Sequence, residues 1–486
     1  MDIEHLPLDV LFSIMAASSC DTISAMMQTC RTLYNTPETL RLLLRDVTLA
    51  SNDQIICFLH FMLVAPATRF NRLRALTVEK GDFSEAAVDA IKALLVHPAL
   101  IIETLTLHDA EAVLTSRTPL SGRWGHEVPF FRVPLLEPFA RLTTLTHLTM
   151  DAAGACASVF LRMLSSCLVS VSLSFPLNPM IRPYRTFRDY DAITFLNPIL
   201  SLDRSAKTLQ VLEGSYFSLP RADAPHDVVY PHVWKVRAGF KDNTWARMVV
   251  VYAHAFPNLK HLVLDQYTDI RRRMYHPTLI EPVNWTIRRG NRQDQLKYDS
   301  WKSLCVVEGT LEAIYSLGLV CKVSELRLKD LVSERTVSHL EAVLQDVEPE
   351  TLSLLIWGAT MFDKGSRLSQ LLATSTVHCI TSLEMVIHFL ESEGDSGIED
   401  ILDNIMFRLS ALPLRRLELI LKLPPIKPFD RKVWELPADD QYQCPAEQYL
   451  HEFDFQAYTS RFKATIPTLE NISVKHRRCY YWNLVF

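Results

Sequence analysis

The 486 residues include only 13 glycines, spread along the chain, and no glycine-rich phosphate loop. The 16 histidines show neither HxxxH nor HxH spacing, and the ten cysteines contain no CxxC pair, so no metal-ligand pattern is present. His378-Cys379 and His476 near Cys479 are coincidences of spacing, with no further ligand beside them. An excess of one charge is missing too. Net charge is −5 and the pI is near 6.4, which argues against a general nucleic-acid binder. No apolar run reaches the ~20 residues a spanning helix needs. The longest, IICFLHFMLVA from Ile55 to Ala65, stops at Pro66 and reads as a buried helix. Asp2 and Glu4 stand where a signal peptide would carry basic residues. The scattered cysteines read mostly as small buried hydrophobes in a reducing compartment, cytoplasmic or nuclear. Gly394-Asp395-Ser396-Gly397 resembles the loop around a serine-protease nucleophile. It lacks a matching upstream histidine context, and Ile398 replaces the further glycine, so it reads as an acidic linker. We therefore expect no catalytic residue, cofactor, metal or membrane partner.

What is present describes a folded chain. Hydrophobic residues make up 48% and charged residues 22%, with mean hydropathy +0.08, too apolar for disorder. The length suggests several units or one elongated repeat array.

The N-terminal stretch HLPLDVLFSIMAASSCDTISAMMQTCRTLY, His5 to Tyr34, is short, helical and rich in methionine. Pro7 suits a first helical turn, and Val10, Leu11 and Ile14 fall on one side of the helix. Asp21 or Thr22 can cap the next helix, whose stripe is Ile23, Met26, Met27, Cys30, Leu33 and Tyr34. Thr36-Pro37 restarts a helix with the stripe Leu40, Leu43, Leu44 and Val47. Three helices this small bury little among themselves, so either the following domain or a partner must cover them.

Leu6-Pro7, Asp9, Val10-Leu11, Ile14, Asp21-Thr22-Ile23 and Cys30-Arg31 before Leu33-Tyr34 resemble an F-box in order and spacing. Ser18 stands where that family usually has leucine, and Leu33 lies near where it often has an aromatic residue. The resemblance implies a helical hook over residues 1–47 that binds a Skp1-type adaptor and, through it, a cullin. It implies Leu6, Pro7, Val10, Leu11, Ile14, Ile23 and Met26 as adaptor-facing positions.

From residue 73 onward a pattern recurs: apolar, two residues, apolar, one residue, apolar. It starts at Leu73, Ile102, Leu145, Leu168, Leu259, Val323, Ile380, Leu414 and Leu469. Weaker copies start at Leu209, Val233, Trp301 and Leu352. With roughly 30% of residues being Leu, Ile, Val or Met, chance alone gives about a dozen matches, so context decides. Several copies follow a proline stop, as in FPNLKHLVL and IPTLENISV. Helical segments such as SEAAVDAIKALLV and SERTVSHLEAVL lie between copies. This is a leucine-rich-repeat rhythm with spacings near 20–29 residues where inserts are absent. The Asn or Cys usual after the strand is replaced by Gly81, Ala110, Pro176 and Tyr267. The expected fold is α/β: a three-helix hook, then an irregular solenoid of short parallel strands alternating with helices over residues 48–486. An F-box followed by divergent repeats resembles the large F-box families of fungi.

Residues 116–134, 175–191, 269–300 and 423–448 read as inserts. The third carries Arg271, Arg272, Arg273, Arg288, Arg289 and Arg292, whose guanidinium forks suit an acidic or phosphorylated motif on a client. The reading is a non-enzymatic substrate receptor of a ubiquitin ligase. The alternative is a stand-alone scaffold whose N-terminal helices merely cap the array; a receptor leaves Leu6, Pro7, Val10 and Ile14 exposed, whereas a cap buries them. An enzyme with a site assembled from distant residues stays open until the fold is seen.

Overall fold

The computed structural model describes residues 7–29, 31–79, 81–116, 133–175, 201–215, 228–240, 249–266, 277–298, 300–389, 398–423, 450 and 453–478. Leu6, Cys30, Arg271–Arg273, Gly394–Gly397 and the greater part of the inserts at 116–134, 175–191 and 423–448 lie outside them. The chain forms two compact units, Met1–Val233 and Trp234–Phe486.

The first unit opens with α1 (Leu8–Ala16), α2 (Cys20–Thr29), α3 (Arg31–Asn35) and α4 (Pro37–Leu43). Strands β1 (Asp46–Leu49), β2 (Ala75–Val78), β3 (Thr104–Leu107), β4 (His147–Met150), β5 (Ser170–Ser174) and β6 (Val211–Ser215) follow. Neighbours in sequence pair in parallel. The helices between them are α5 (Asn52–Val64), α6 (Pro66–Arg69), α7 (Glu85–Leu95), α8 (Ala110–Thr115), α9 (Leu136–Ala140) and α10 (Ala155–Met163).

The second unit holds β7 (Lys235–Phe240), β8 (His261–Gln266), β9 (Ser303–Gly309), β10 (Lys322–Val332), β11 (Thr351–Trp357), β12 (Ser382–His388), β13 (Arg416–Leu423) and β14 (Asn471–Arg478). These also pair in parallel and in order. Its helices are α11 (Val249–Ala255), α12 (Pro277–Tyr298), α13 (Leu311–Leu317), α14 (Val337–Val347), α15 (Arg367–Leu372), α16 (Ile398–Leu409) and α17 (Phe455–Thr465). Each unit is thus an α/β, solenoid-like repeat.

All thirteen copies of the apolar pattern fall on strands β2 to β14. The opening residue of each copy enters the core: Leu73, Ile102, Leu168, Leu209 and Leu414 are fully buried. Along β3 and β11, buried residues alternate with partly exposed ones, as expected of a strand with helices on one face. Ser51, Ser84, Thr310 and Ser366 each cap the helix that follows through their hydroxyl oxygen. Strand, cap and helix therefore repeat as a unit.

Threonines link successive copies of the pattern. The hydroxyls of Thr144, Thr208 and Thr468, each one residue before the first apolar position of a copy, donate to the carbonyls of Ile102, Leu168 and Leu414 at 2.8 Å. Each acceptor opens the preceding copy. Successive turns are thus stitched by a side chain that binds backbone, which satisfies carbonyls that would otherwise be orphaned.

Several expectations are corrected. Val47 ends no helical stripe: β1 begins at Asp46, and Leu44, Val47 and Leu49 form a fourteenth copy of the pattern. The spacing Leu44 to Val47 suits both a helix and this motif, and parallel pairing with β2 decides it. The cap of α2 is Ser19, whose Oγ accepts from Thr22 N at 3.3 Å, rather than Asp21 or Thr22. Residues 277–298 of the basic piece form not a loop but the 22-residue crossover helix α12. Ile55–Ala65 is not a buried helix. Helix α5 packs on α7 and, through Phe61, on the N-terminal core, but Cys57, His60, Leu63 and Val64 stay exposed. Of Cys57, Cys156, Cys167, Cys305, Cys321 and Cys379, only Cys156 and Cys321 are buried. Among the described residues no helix is long and apolar enough to cross a membrane.

Candidate functional site

Helices α1 to α4 enclose a small core of Met15, Ile23, Met27, Leu33 and Leu40. Leu11, Phe12, Met26 and Tyr34 close over it. Two arginines tie this hook to the first repeat. Arg69, 3% exposed, stacks 3.9 Å from the centroid of the Phe61 ring and 5.5 Å from that of Tyr34. Its guanidinium donates to the Phe61 carbonyl and, at 3.1 Å, to the Tyr34 hydroxyl. Arg72 donates to the Pro37 carbonyl. The stacking places a buried cation among aromatic faces, which offsets part of its desolvation.

Helix α1 is apolar on both sides. Leu11 and Met15 turn toward the core. Pro7, Val10 and Ile14 recur at i, i+3 and i+7 on the other side and are exposed, Val10 by 39% and Ile14 by 46%. Leu8 is also 46% exposed. Of the positions the F-box resemblance implies, Pro7, Val10 and Ile14 thus share one outward face. Leu11 and Met26 are half-buried, and Ile23, 3% exposed, belongs to the core. Leu6 lies outside the described residues.

The second region is α12, and it is built the opposite way from an ordinary amphipathic helix. Its buried stripe is largely polar: Asn284, Asn291 and Gln295 are 1–2% exposed, with Ile287 among them. Asn284 Nδ2 donates to Glu312 in the first turn of α13 at 2.8 Å, and the other two amides cap its C-terminus. Asn291 Nδ2 donates to the Ser316 carbonyl at 2.8 Å; Gln295 Nε2 donates to Leu317 and Gly318 carbonyls at 3.1 and 2.9 Å. Arg288 donates to the Tyr315 carbonyl at 3.1 Å. The last carbonyls of a helix lack intrahelical donors, and α12 supplies them.

Arg288 also pairs with Asp346 on α14, donates to the Ala342 carbonyl and stacks on Tyr315 at 4.6 Å. Its side chain is 13% exposed, so its charge is engaged in packing. Arg292, 45% exposed, shares the same carboxylate. Arg289 is exposed and stacks 5.5 Å from Trp285. The sequence suggested six equivalent arginines; of the three described, the fold makes one a clamp, one a half-exposed partner and one an exposed cation stacked on Trp285.

The strand residues that point away from the helices in the second unit largely balance their own charge. Arg237 and Lys329 meet Asp265 at 2.6 and 2.8 Å, and Lys329 meets Glu308 at 2.8 Å. Burial alone would raise the Asp265 carboxyl, but hydrogen bonds and charge from Lys329 and Arg237 outweigh it and hold it below its ordinary range. Further along, Leu355, Val386 and Ile420 stand in register across β11, β12 and β13. His388 and Lys422 are registered in the same way. Burial and then the Lys422 charge push His388 down to about 4, so its imidazole is neutral near pH 7.

Among the described residues, no group of three or more His, Cys, Asp or Glu could hold a metal ion. No family model matches the chain, and no curated protein is significantly similar to it. The signals missed in the sequence were two: threonine before the opening leucine, and the Asn-Arg-Asn-Gln stripe at helical spacing in residues 284–295.

Proposed function

We propose that this chain is the substrate-recognition subunit of a Skp1–cullin–F-box type ubiquitin ligase. It docks on the adaptor through α1 and holds a client on its repeats, and ubiquitin chemistry takes place on other subunits. In this reading the chain has no catalytic residue or cofactor of its own and works in the cytoplasm or nucleus.

The observation that carries the proposal is the exposure of Val10 and Ile14, with Pro7 at the cap, on a helix whose other face already fills the hook core. A helix serving only as a cap has no use for a second apolar face, because exposed apolar side chains gain nothing in water. The Arg69 and Arg72 ties speak for the competing reading, a scaffold whose helices cap the array. They are equally what a rigid hook requires to hold adaptor and client in fixed relation.

The test is a pull-down of purified Skp1-type adaptor by the intact chain and by Val10→Asp/Ile14→Asp. The proposal expects capture by the first and none by the second. Absence of capture by the intact, folded chain leaves the scaffold reading.

A further inference from the structure

Because the buried stripe of α12 is largely polar, with only Ile287 apolar among its described residues, large apolar side chains of that helix are left outside. Trp285 is 54% exposed and Leu296 72% exposed. With Arg289 and Arg292 between them they follow the spacing i, i+4, i+7, i+11, one continuous strip about 16 Å long at 1.5 Å per residue. Packing does not explain this strip, since α12 is held to α13 and α14 by Asn291, Gln295 and Arg288 from a different side.

The charge of the strip is lopsided. Arg288 and Arg292 share one carboxylate, Asp346, and Arg289 has no carboxylate partner among the described residues. Three guanidiniums thus face a single acid. Asp294 and Lys297, both exposed nearby, offset each other. The Trp285–Arg289 stack fixes the guanidinium beside the indole, so an apolar contact and a charged contact are offered side by side. Trp and Arg are the residue types that dominate protein interfaces.

We propose that the Trp285–Arg289–Arg292–Leu296 strip of α12 binds an acidic amphipathic helix of a partner protein. That helix spans about three turns, lays its apolar residues on Trp285 and Leu296, and pairs its carboxylates with Arg289 and the excess charge at Arg292. The inference rests on the client-holding half of the proposed function and names the chemistry of the client. It does not depend on adaptor binding.

The test uses the full chain without adaptor, in fluorescence anisotropy at two salt concentrations. The probes are a labelled 16-residue Leu/Glu amphipathic helical peptide, its Leu/Lys counterpart, and a Leu/Glu peptide with the same composition but scrambled periodicity. The Leu/Glu helix is expected to bind saturably and more weakly at high salt, and the other two are not. Trp285→Ala, Arg289→Glu and Leu296→Glu each lie on the outside, so their melting temperatures should match the parent while affinity falls tenfold or more. Arg289→Glu should gain affinity for the Leu/Lys peptide. The proposal is overturned by equal binding of the scrambled peptide, by no binding of the Leu/Glu helix, or by an affinity unchanged in Trp285→Ala and Arg289→Glu. Self-association of the chain that Leu296→Glu abolishes also overturns it, since the occupant is then a second copy. Failure here with intact adaptor capture would leave the adaptor half of the proposed function standing.

Discussion

Arg288 on α12 and Asp346 on α14 form an ion pair whose side chains are only 13% and 9% exposed. The pair spans two crossovers, since α13 lies between these helices in the chain, and Arg292 brings a second guanidinium to the same carboxylate. Such a pair contributes little net attraction beyond its desolvation cost, yet losing one member leaves charge stranded indoors.

Asp346→Ala removes the carboxylate and strands Arg288 between Tyr315 and the Ala342 carbonyl. A loss of about 3 kcal/mol is expected. Arg292→Ala, which leaves the inner pair intact, should cost less than about 1 kcal/mol. Urea melts of the two variants give the comparison. Equal costs would mean that the inner pair contributes no more than the exposed one.

Gly318 ends α13 at φ +55, and a Cβ there would lie 2.7 Å from the Arg288 carbonyl. Gly318→Ala meets both left-handed strain and a backbone clash, so it should destabilise by more than the ~1 kcal/mol of αL strain alone. Gly290, whose Cβ would meet nothing within 4 Å, sits inside α12, and Gly290→Ala should stabilise by up to about 1 kcal/mol. Thermal melts should therefore move in opposite directions.

Paired substitutions at the threonine stitches, compared in urea melts, isolate the hydrogen bond. Thr144→Val and Thr468→Val keep shape but remove the donors to the Ile102 and Leu414 carbonyls. Each should cost about 1 kcal/mol, and Thr→Ser at the same positions, which keeps the hydroxyl, should cost less. A Val variant as stable as its Ser counterpart would show the hydrogen bond to be dispensable.

The pH dependence follows from His388. Its folded value is pushed down to about 4, against an ordinary value near 6.5 in the unfolded chain. Above pH 6.5 both states hold it neutral and its contribution is complete. As pH falls from 6.5 toward 4 the unfolded chain takes up a proton that the folded chain refuses, so stability is lost through that window. His388→Asn should flatten the decline of the melting temperature between pH 6.5 and 4. An unaltered slope would contradict the assignment.

The repeat was legible because its chemistry is apolar and periodic: every quoted leucine motif sits on a strand. Strand β1 escaped because Leu44 and Val47 fit a helical stripe as well as the repeat motif, and only pairing of Val47 with Leu76 separates the two. Helix α12 escaped for a deeper reason. Its inward residues Asn284, Asn291 and Gln295 are polar, so a search for apolar periodicity sees a basic loop. At the hook, spacing placed Val10, Leu11 and Ile14 on one side, but Leu11 packs on the core while Val10 and Ile14 face outward, and spacing could not separate Ile23, which the core takes, from its surface neighbours.

The proposed receptor role requires the outer face of α1 to be covered by another protein. Isothermal titration of a purified Skp1-type adaptor into the intact chain, Ile14→Asp and Ile23→Ala, with a thermal melt of each, tests it most directly. Ile14→Asp should abolish binding without lowering the melting temperature, because Ile14 is 46% exposed. Ile23→Ala, which opens a cavity in the hook core, should destabilise the hook by about 2–5 kcal/mol. Undiminished adaptor affinity in Ile14→Asp, or a melting temperature that falls as far as in Ile23→Ala, would contradict it.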